Sequence, residues 1–151
     1  YFYSNFNFER NVNIMGNLSA FLKQNRKSVE NVKYAPSDRF LDENGKPIEW
    51  EIKPVSSKRA DAIREECTTQ KGKNFKVDSK KFNKLIAVEC TVFPDLNDKE
   101  LQDSYGVMGA EQLIQELLDV DGEYQGYINK ILEVCGDTKS EEELVDEAKN
   151  L

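Results

Sequence analysis

"RFLDENGKPIEWEIKPV", residues 39–55, carries the local pattern on which the fold turns. Asn44-Gly45 can take the two positive φ angles of a type I′ turn, so the flanking residues are predicted to form a β-hairpin. In that register Glu43 faces Lys46 and Leu41 faces Ile48. Leu41, Ile48, Trp50 and Ile52 then share one face, and Glu49, Glu51 and Lys53 the other, because side chains alternate along a strand. Arg39 would lie opposite Trp50, within reach of a cation–π contact. Phe40 breaks the pattern, since the same register points it at the charged face. A bulge or cover from elsewhere in the chain is the favoured explanation, and an anchor for a partner protein is the second.

Upstream, "VENVKYA" (29–35) alternates Val32 and Tyr34 with polar neighbours, and Pro36 closes it, so it reads as an extended segment that could join the hairpin. "NLSAFLKQN" reads as a short helix with Leu18, Phe21 and Leu22 on one side. The first eight residues hold five of the fifteen aromatics. Residues 1–15 are accordingly read as a non-core aromatic segment, either appended or disordered, with Met15 as a plausible natural start.

Downstream, Ser56 or Ser57 is predicted to cap a helix running to about Thr69, with Ala60, Ile63 and Cys67 inward. "QKGKNFK" reads as a loop. Asp78 is predicted to cap a helix that continues through Phe93, buries Phe82, Leu85, Ile86, Cys90 and Phe93, and stops at Pro94. Asn97 and Glu100 have capping-box spacing, and Leu96 with Leu101 that of a hydrophobic staple. The two glycines of "YGVMGAEQL" read as punctuation between helices, with Gly106 at a left-handed C-terminal position. A phosphate-binding loop there would need a preceding buried strand and a following Lys-Ser/Thr, and has neither. Leu113, Ile114, Leu117 and Leu118 form one amphipathic stripe, and Tyr124, Tyr127, Ile128, Ile131 and Cys135 another. Residues 16–136 therefore read as a single α+β domain. Its core is a small antiparallel hairpin or three-stranded sheet packed against four to five amphipathic helices. Residues 137–151 hold six acids and two lysines and read as an acidic tail with a helical pattern at Leu144, Val145, Ala148 and Leu151.

Composition narrows the function classes. The 151 residues are 38% hydrophobic and 32% charged, with a net charge of −7, which opposes non-specific nucleic-acid binding. No window is read as a dense basic cluster interleaved with aromatics. No apolar run is long enough to span a membrane. There is no histidine, so His-based acid–base chemistry, the usual serine and cysteine triads and the commonest zinc ligand are excluded. The three cysteines, Cys67, Cys90 and Cys135, lack metal-binding spacing and fall on apolar stripes, as reduced, buried thiols do.

Three segments, "LSAFLKQN" (18–25), "RFLDENGKPIEWEIKP" (39–54) and "QDSYGVMGAEQL" (102–113), resemble the XkdN-like phage tail assembly chaperones of Bacillus-type prophages. Where that family is expected to have Pro-Gly-Glu-Tyr, this chain has Asp121-Gly122-Glu123-Tyr124, a change confined to one loop. The resemblance implies a non-enzymatic protein of the host bacterial cytoplasm, with no cofactor, metal or catalytic residue. It would engage the tape measure protein, with tail tube subunits as further clients, during tail morphogenesis. A longer product made by translational frameshifting near the end of the gene is also associated with the family. Phe40, Trp50, Leu144, Val145 and Ala148 are the candidate partner-binding residues, and an unpaired hairpin edge could support self-association. Rival readings are a structural virion component (a tail-completion or connector subunit), an acidic inhibitor or DNA mimic, and, weakest, a carboxylate- or metal-dependent enzyme.

Overall fold

The computed structural model describes residues 17–136. Two compact units divide the chain, Tyr1–Glu30 and Asn31–Leu151. In the first, residues 17–20 are helical and Lys23–Asn25 form a 3-10 turn. The Asn25 side-chain amide closes this unit locally by donating to the Ser19 carbonyl at 2.9 Å. The readings of residues 1–15 and of the acidic tail fall on residues 1–16 and 137–151, outside the described residues.

The second unit begins with β1 (Val32–Tyr34), which pairs antiparallel with β2 (Trp50–Ile52), Tyr34 opposite Trp50 and Val32 opposite Ile52. Between them lies the 39–48 loop, and here the predicted register is off by one. Asn44 does not take a positive φ; among the described residues only glycines do, Gly45 at +76°. The Asp42 carboxylate organises the turn instead, accepting from the amides of Asn44 at 2.8 Å and Lys46 at 3.0 Å. The Gly45 amide donates to the Asp42 carbonyl at 3.0 Å, and the Asp42 amide to the Lys46 carbonyl at 2.8 Å. The loop therefore has three residues, a turn followed by a left-handed glycine, rather than the two of a type I′ hairpin. Leu41 bridges to Pro47, and the Ile48 amide donates to the Phe40 carbonyl at 2.8 Å. Sliding the pairing by one residue exchanges the faces. Phe40 turns inward and packs against the core, while Leu41, predicted inside, is 52% exposed.

Next comes α1 (Ser57–Glu66), capped by the Ser56 side chain, which accepts from the Arg59 amide at 3.2 Å. It stops three residues short of its predicted end, because Thr68 begins β3 (Thr68–Lys71), which pairs antiparallel with β4 (Asn74–Val77). The stretch read as a loop is thus a second hairpin. Lys71 pairs with Asn74, leaving Gly72-Lys73 as the two-residue turn, with Gly72 at φ +63°. Glycine first in the turn is the type II′ arrangement.

α2 (Ser79–Cys90) is capped by Asp78, whose carboxylate accepts from the Lys81 amide at 3.1 Å. It too ends early. Thr91–Phe93, predicted as helix, is β5, the third strand of a sheet ordered β1-β2-β5, and Phe93, expected on the buried stripe, is 50% exposed. The run Thr91-Val92-Phe93 is β-branched and aromatic, and a residue before proline disfavours the helical region. The open side of β2 supplies its hydrogen-bonding partners, with a register irregularity at Glu51/Ile52. α3 (Lys99–Ser104) is capped by Asp98, one residue after the predicted Asn97, and Gly106 follows at φ +66°. α4 (Ala110–Leu117) and α5 (Asp121–Val134) complete the unit. The architecture is α+β.

The core joins the sheet to α1, α2, α4 and α5 through residues such as Ile52, Ile63, Ile86, Leu113, Ile114 and Ile131. Each fully buried aliphatic side chain of this kind contributes about 1.5–3 kcal/mol relative to exposure. Tyr127 sits at its centre. Trp50 meets it edge-on with ring centroids 5.0 Å apart, and Tyr34 stacks on it at 6.3 Å.

Candidate protein-interaction surface

Of the residues singled out for partner binding, Trp50 is 2% exposed, and its ring is used inside the fold. Phe40 is half-buried and packs against the core. Leu144, Val145 and Ala148 lie outside the described residues. Arg39 does not stack on Trp50. Its guanidinium binds Asp119 at 2.7 Å and Glu123 at 3.1 Å, tying the 39–48 loop to the start of α5. The hydrogen bond from Arg39, and then its positive charge, hold the Asp119 carboxyl below its ordinary range. The cation–π contacts lie elsewhere, with Arg64 5.1 Å from the Phe82 ring centroid and Lys130 5.8 Å from that of Tyr34.

No group of three or more cysteines and carboxylates with metal-holding geometry occurs among the described residues. The thiols are internal. Cys67 and Cys90 are buried, and the Cys90 sulfur lies 3.6 Å from that of half-buried Cys135. That contact and burial both push the Cys90 thiol up, the direction opposite to nucleophile activation.

The surface that stands out was missed in the sequence. The β3–β4 hairpin buries almost nothing, since every residue but Thr68 is exposed. Phe75 is 70% exposed and shares a face with Val77, Thr68 and Gln70; Lys71 and Lys76 project from the opposite face. Lys73 stands in the turn, and Lys80 and Lys81 continue the positive charge into the first turn of α2. Cations there oppose the helix macrodipole, so helix stability does not account for them. Among the described residues these lysines form no ion pair. Two signals could have revealed the element: Gly-Lys as a II′ turn between Thr68-Thr69 and Phe75-Val77, and lysines interleaved with Phe75 and Phe82. A dense basic window with aromatics is therefore present, contrary to expectation.

The second unit thus offers an exposed basic hairpin carrying one large aromatic and a three-stranded sheet whose edge strand β5 exposes Val92 and Phe93. Surfaces of this kind suit extended or amphipathic polypeptide partners.

Known proteins agree with the sequence resemblance. The family model for phage XkdN-like tail assembly chaperone proteins matches residues 18–149. The Bacillus subtilis (strain 168) phage-like element PBSX protein XkdN is 34% identical over 147 residues, covering 94% of this chain and 99% of that protein. YqbN of the same strain is 33% identical over 138 residues, covering 88% and 93%. The crystal structure of the protein YqbN superposes with a TM-score of 0.70 at 32% identity, covering 78% of this chain and 94% of that one. The chain belongs to the XkdN-like family of phage tail assembly chaperones.

Proposed function

We propose that this protein acts without catalysis, in the cytoplasm of the host bacterium, as a chaperone that holds the tape measure protein and tail tube subunits during tail assembly. The observation that carries the reading is the family match over residues 18–149, which takes in nearly all of the second unit. Its physical counterpart is a small acidic domain that keeps apolar side chains such as Leu41, Val92 and Phe93 at its surface among many charges. A protein that holds an aggregation-prone partner temporarily needs apolar contact area together with enough net charge to stay soluble.

Co-expression with the genes encoding the tape measure and tube proteins, followed by affinity capture, tests it. Both clients are expected to co-purify, and the chain is expected to be absent from mature tails. Failure to capture the tape measure protein removes the client assignment. Retention in purified particles would favour a structural subunit. Leu41→Ser and Phe93→Ser locate the surface, whereas Phe40→Ser disturbs packing as well and cannot separate binding from folding.

A further inference from the structure

We propose that the β3–β4 hairpin and the first turn of α2 form the docking surface for the chain's own acidic segment, residues 137–151. Residues 71–84, KGKNFKVDSKKFNK, contain six lysines against one aspartate in a chain whose net charge is −7. Residues 137–151, DTKSEEELVDEAKNL, contain six acids against two lysines. A strongly basic stretch and the stretch richest in acidic side chains therefore occur within a single molecule and complement each other.

The apolar parts match as well. Phe75 and Val77 lie on one hairpin face, both open to solvent. The acidic segment places Leu144, Val145, Ala148 and Leu151 at spacings of one, three and three residues, which would bring them to one side if it coils on docking. A two-stranded hairpin with solvent on both faces is marginal by itself, so a segment laid against it would supply apolar cover that the described residues do not.

Geometry permits the contact. The acidic segment leaves the fold beyond α5, where the Cys135 sulfur lies 3.6 Å from that of Cys90, the last residue of α2. Along a helix of twelve residues the far end is about 18 Å away. With residues 137–140 extended and 141–151 coiled the segment spans about 30 Å, so it reaches the lysines at the start of α2. Exposed ion pairs are individually weak, at roughly 0–1 kcal/mol. Tethering compensates, because a short linker holds the acids near the lysines at an effective concentration in the millimolar range. The same competition would keep other polyanions off the surface. The contact does not depend on which client the protein holds.

Zero-length carbodiimide coupling of the full chain tests the proposal, using an equal mixture of ¹⁴N- and ¹⁵N-labelled protein. Peptide mapping is expected to find Lys71, Lys73, Lys76 or Lys80 joined to carboxylates of residues 141–147. The joined peptides should carry one isotope only, and their yield should fall as salt is raised. In a second measurement, the double variant Lys73→Glu/Lys76→Glu, altered only at exposed sites, should lose amide-exchange protection in residues 141–148. Three results overturn the proposal: no such couplings, isotopically mixed couplings (a second copy as occupant), or unchanged exchange in the variant. Salt-sensitive binding of a single-stranded oligonucleotide by the full chain, abolished by the same variant, would also overturn it by assigning the surface to nucleic acid.

Discussion

The Tyr127 hydroxyl lies 2.6 Å from Thr91 Oγ1 inside the core. Thr91 Oγ1 already donates to the Ala87 carbonyl at 2.7 Å, so its lone pair accepts and Tyr127 is the donor. This chain of bonds fastens α5 to the point where α2 gives way to β5, the transition that the sequence pattern hid.

Tyr127→Phe should therefore cost about 1 kcal/mol, the usual net value of one buried hydrogen bond, and leave the fold intact. Burial also pushes the Tyr127 hydroxyl above its ordinary value of 10.0. Above pH 10 the unfolded chain ionises this tyrosine while the folded chain does not, so stability falls as pH rises beyond that point. Urea denaturation of both proteins between neutral and strongly alkaline pH checks it. The variant's deficit should shrink as pH rises above 10, and a constant deficit would show that Tyr127 is not held protonated.

The Arg39–Asp119 pair makes a different demand. Both side chains are about half exposed, so the pair is screened by solvent and salt, and its loss should leave the global unfolding midpoint nearly unmoved. Its effect is local, because Arg39 is the polar tie between the 39–48 loop and the start of α5. In Arg39→Ala, amide exchange should quicken at Asp42 and Ile48 and remain unchanged in α2. The Asp119 carboxyl is held low, so the tie is intact at neutral pH and weakens as pH falls through the carboxylate range. Exchange measured against pH in the parent protein should show the same loop loosening in acid.

Much of this fold could be read from residue spacing, and the failures have local causes. Ser56, Asp78 and Gly106 mark helix ends where the sequence places them, because caps and left-handed glycines act within one turn of chain. The stripes of α4 and α5 were equally visible. The 39–48 register was not, since an Asn-Gly pair suggests a two-residue turn and gives no hint that the Asp42 carboxylate will claim the amides of Asn44 and Lys46. Thr91–Phe93 continued the helical rhythm of α2, and only the open side of β2, a long-range fact, turned it into strand. The exposed hairpin was hidden because periodic apolar patterns report burial, and β3 and β4 are mostly in solvent. For the same reason the candidate surface is less legible than the core: Trp50 reads as a partner contact and lies inside, whereas Phe75, in a stretch that reads as a loop, lies outside.

Two glycines allow a test with opposite signs. Gly45 has φ +76° and nothing within 4 Å of an added Cβ, so Gly45→Ala meets a backbone penalty alone. That penalty is about 1–2 kcal/mol for an L-residue in the left-handed region. Gly122 lies in the first turn of α5, also with open space around an added Cβ, and Gly122→Ala should stabilise by about 0.4–1 kcal/mol through the unfolded state. Thermal or urea unfolding of the two variants should move in opposite directions. A destabilised Gly122→Ala protein would mean that α5 does not begin where the structure places it.

Thiol reactivity tests the interior directly. The thiolate is the reacting form, and Cys67 is pushed up by burial and Cys90 by its contact with Cys135 and by burial. Cys135 is the one thiol of the three that is not fully buried. Iodoacetamide should therefore modify Cys135 first in the native protein. Cys67 and Cys90 should react only as often as the chain opens, so their rates should rise with urea in step with the unfolding equilibrium. Mass spectrometry of digests taken over a time course would resolve the three sites. Tyr127→Phe, which removes the bond to Thr91 beside Cys90, should raise the Cys90 rate by about fivefold, the change in open population that about 1 kcal/mol implies. If Cys90 reacts as fast as Cys135 in the parent protein, the end of α2 is open to solvent and the packing described for it is wrong.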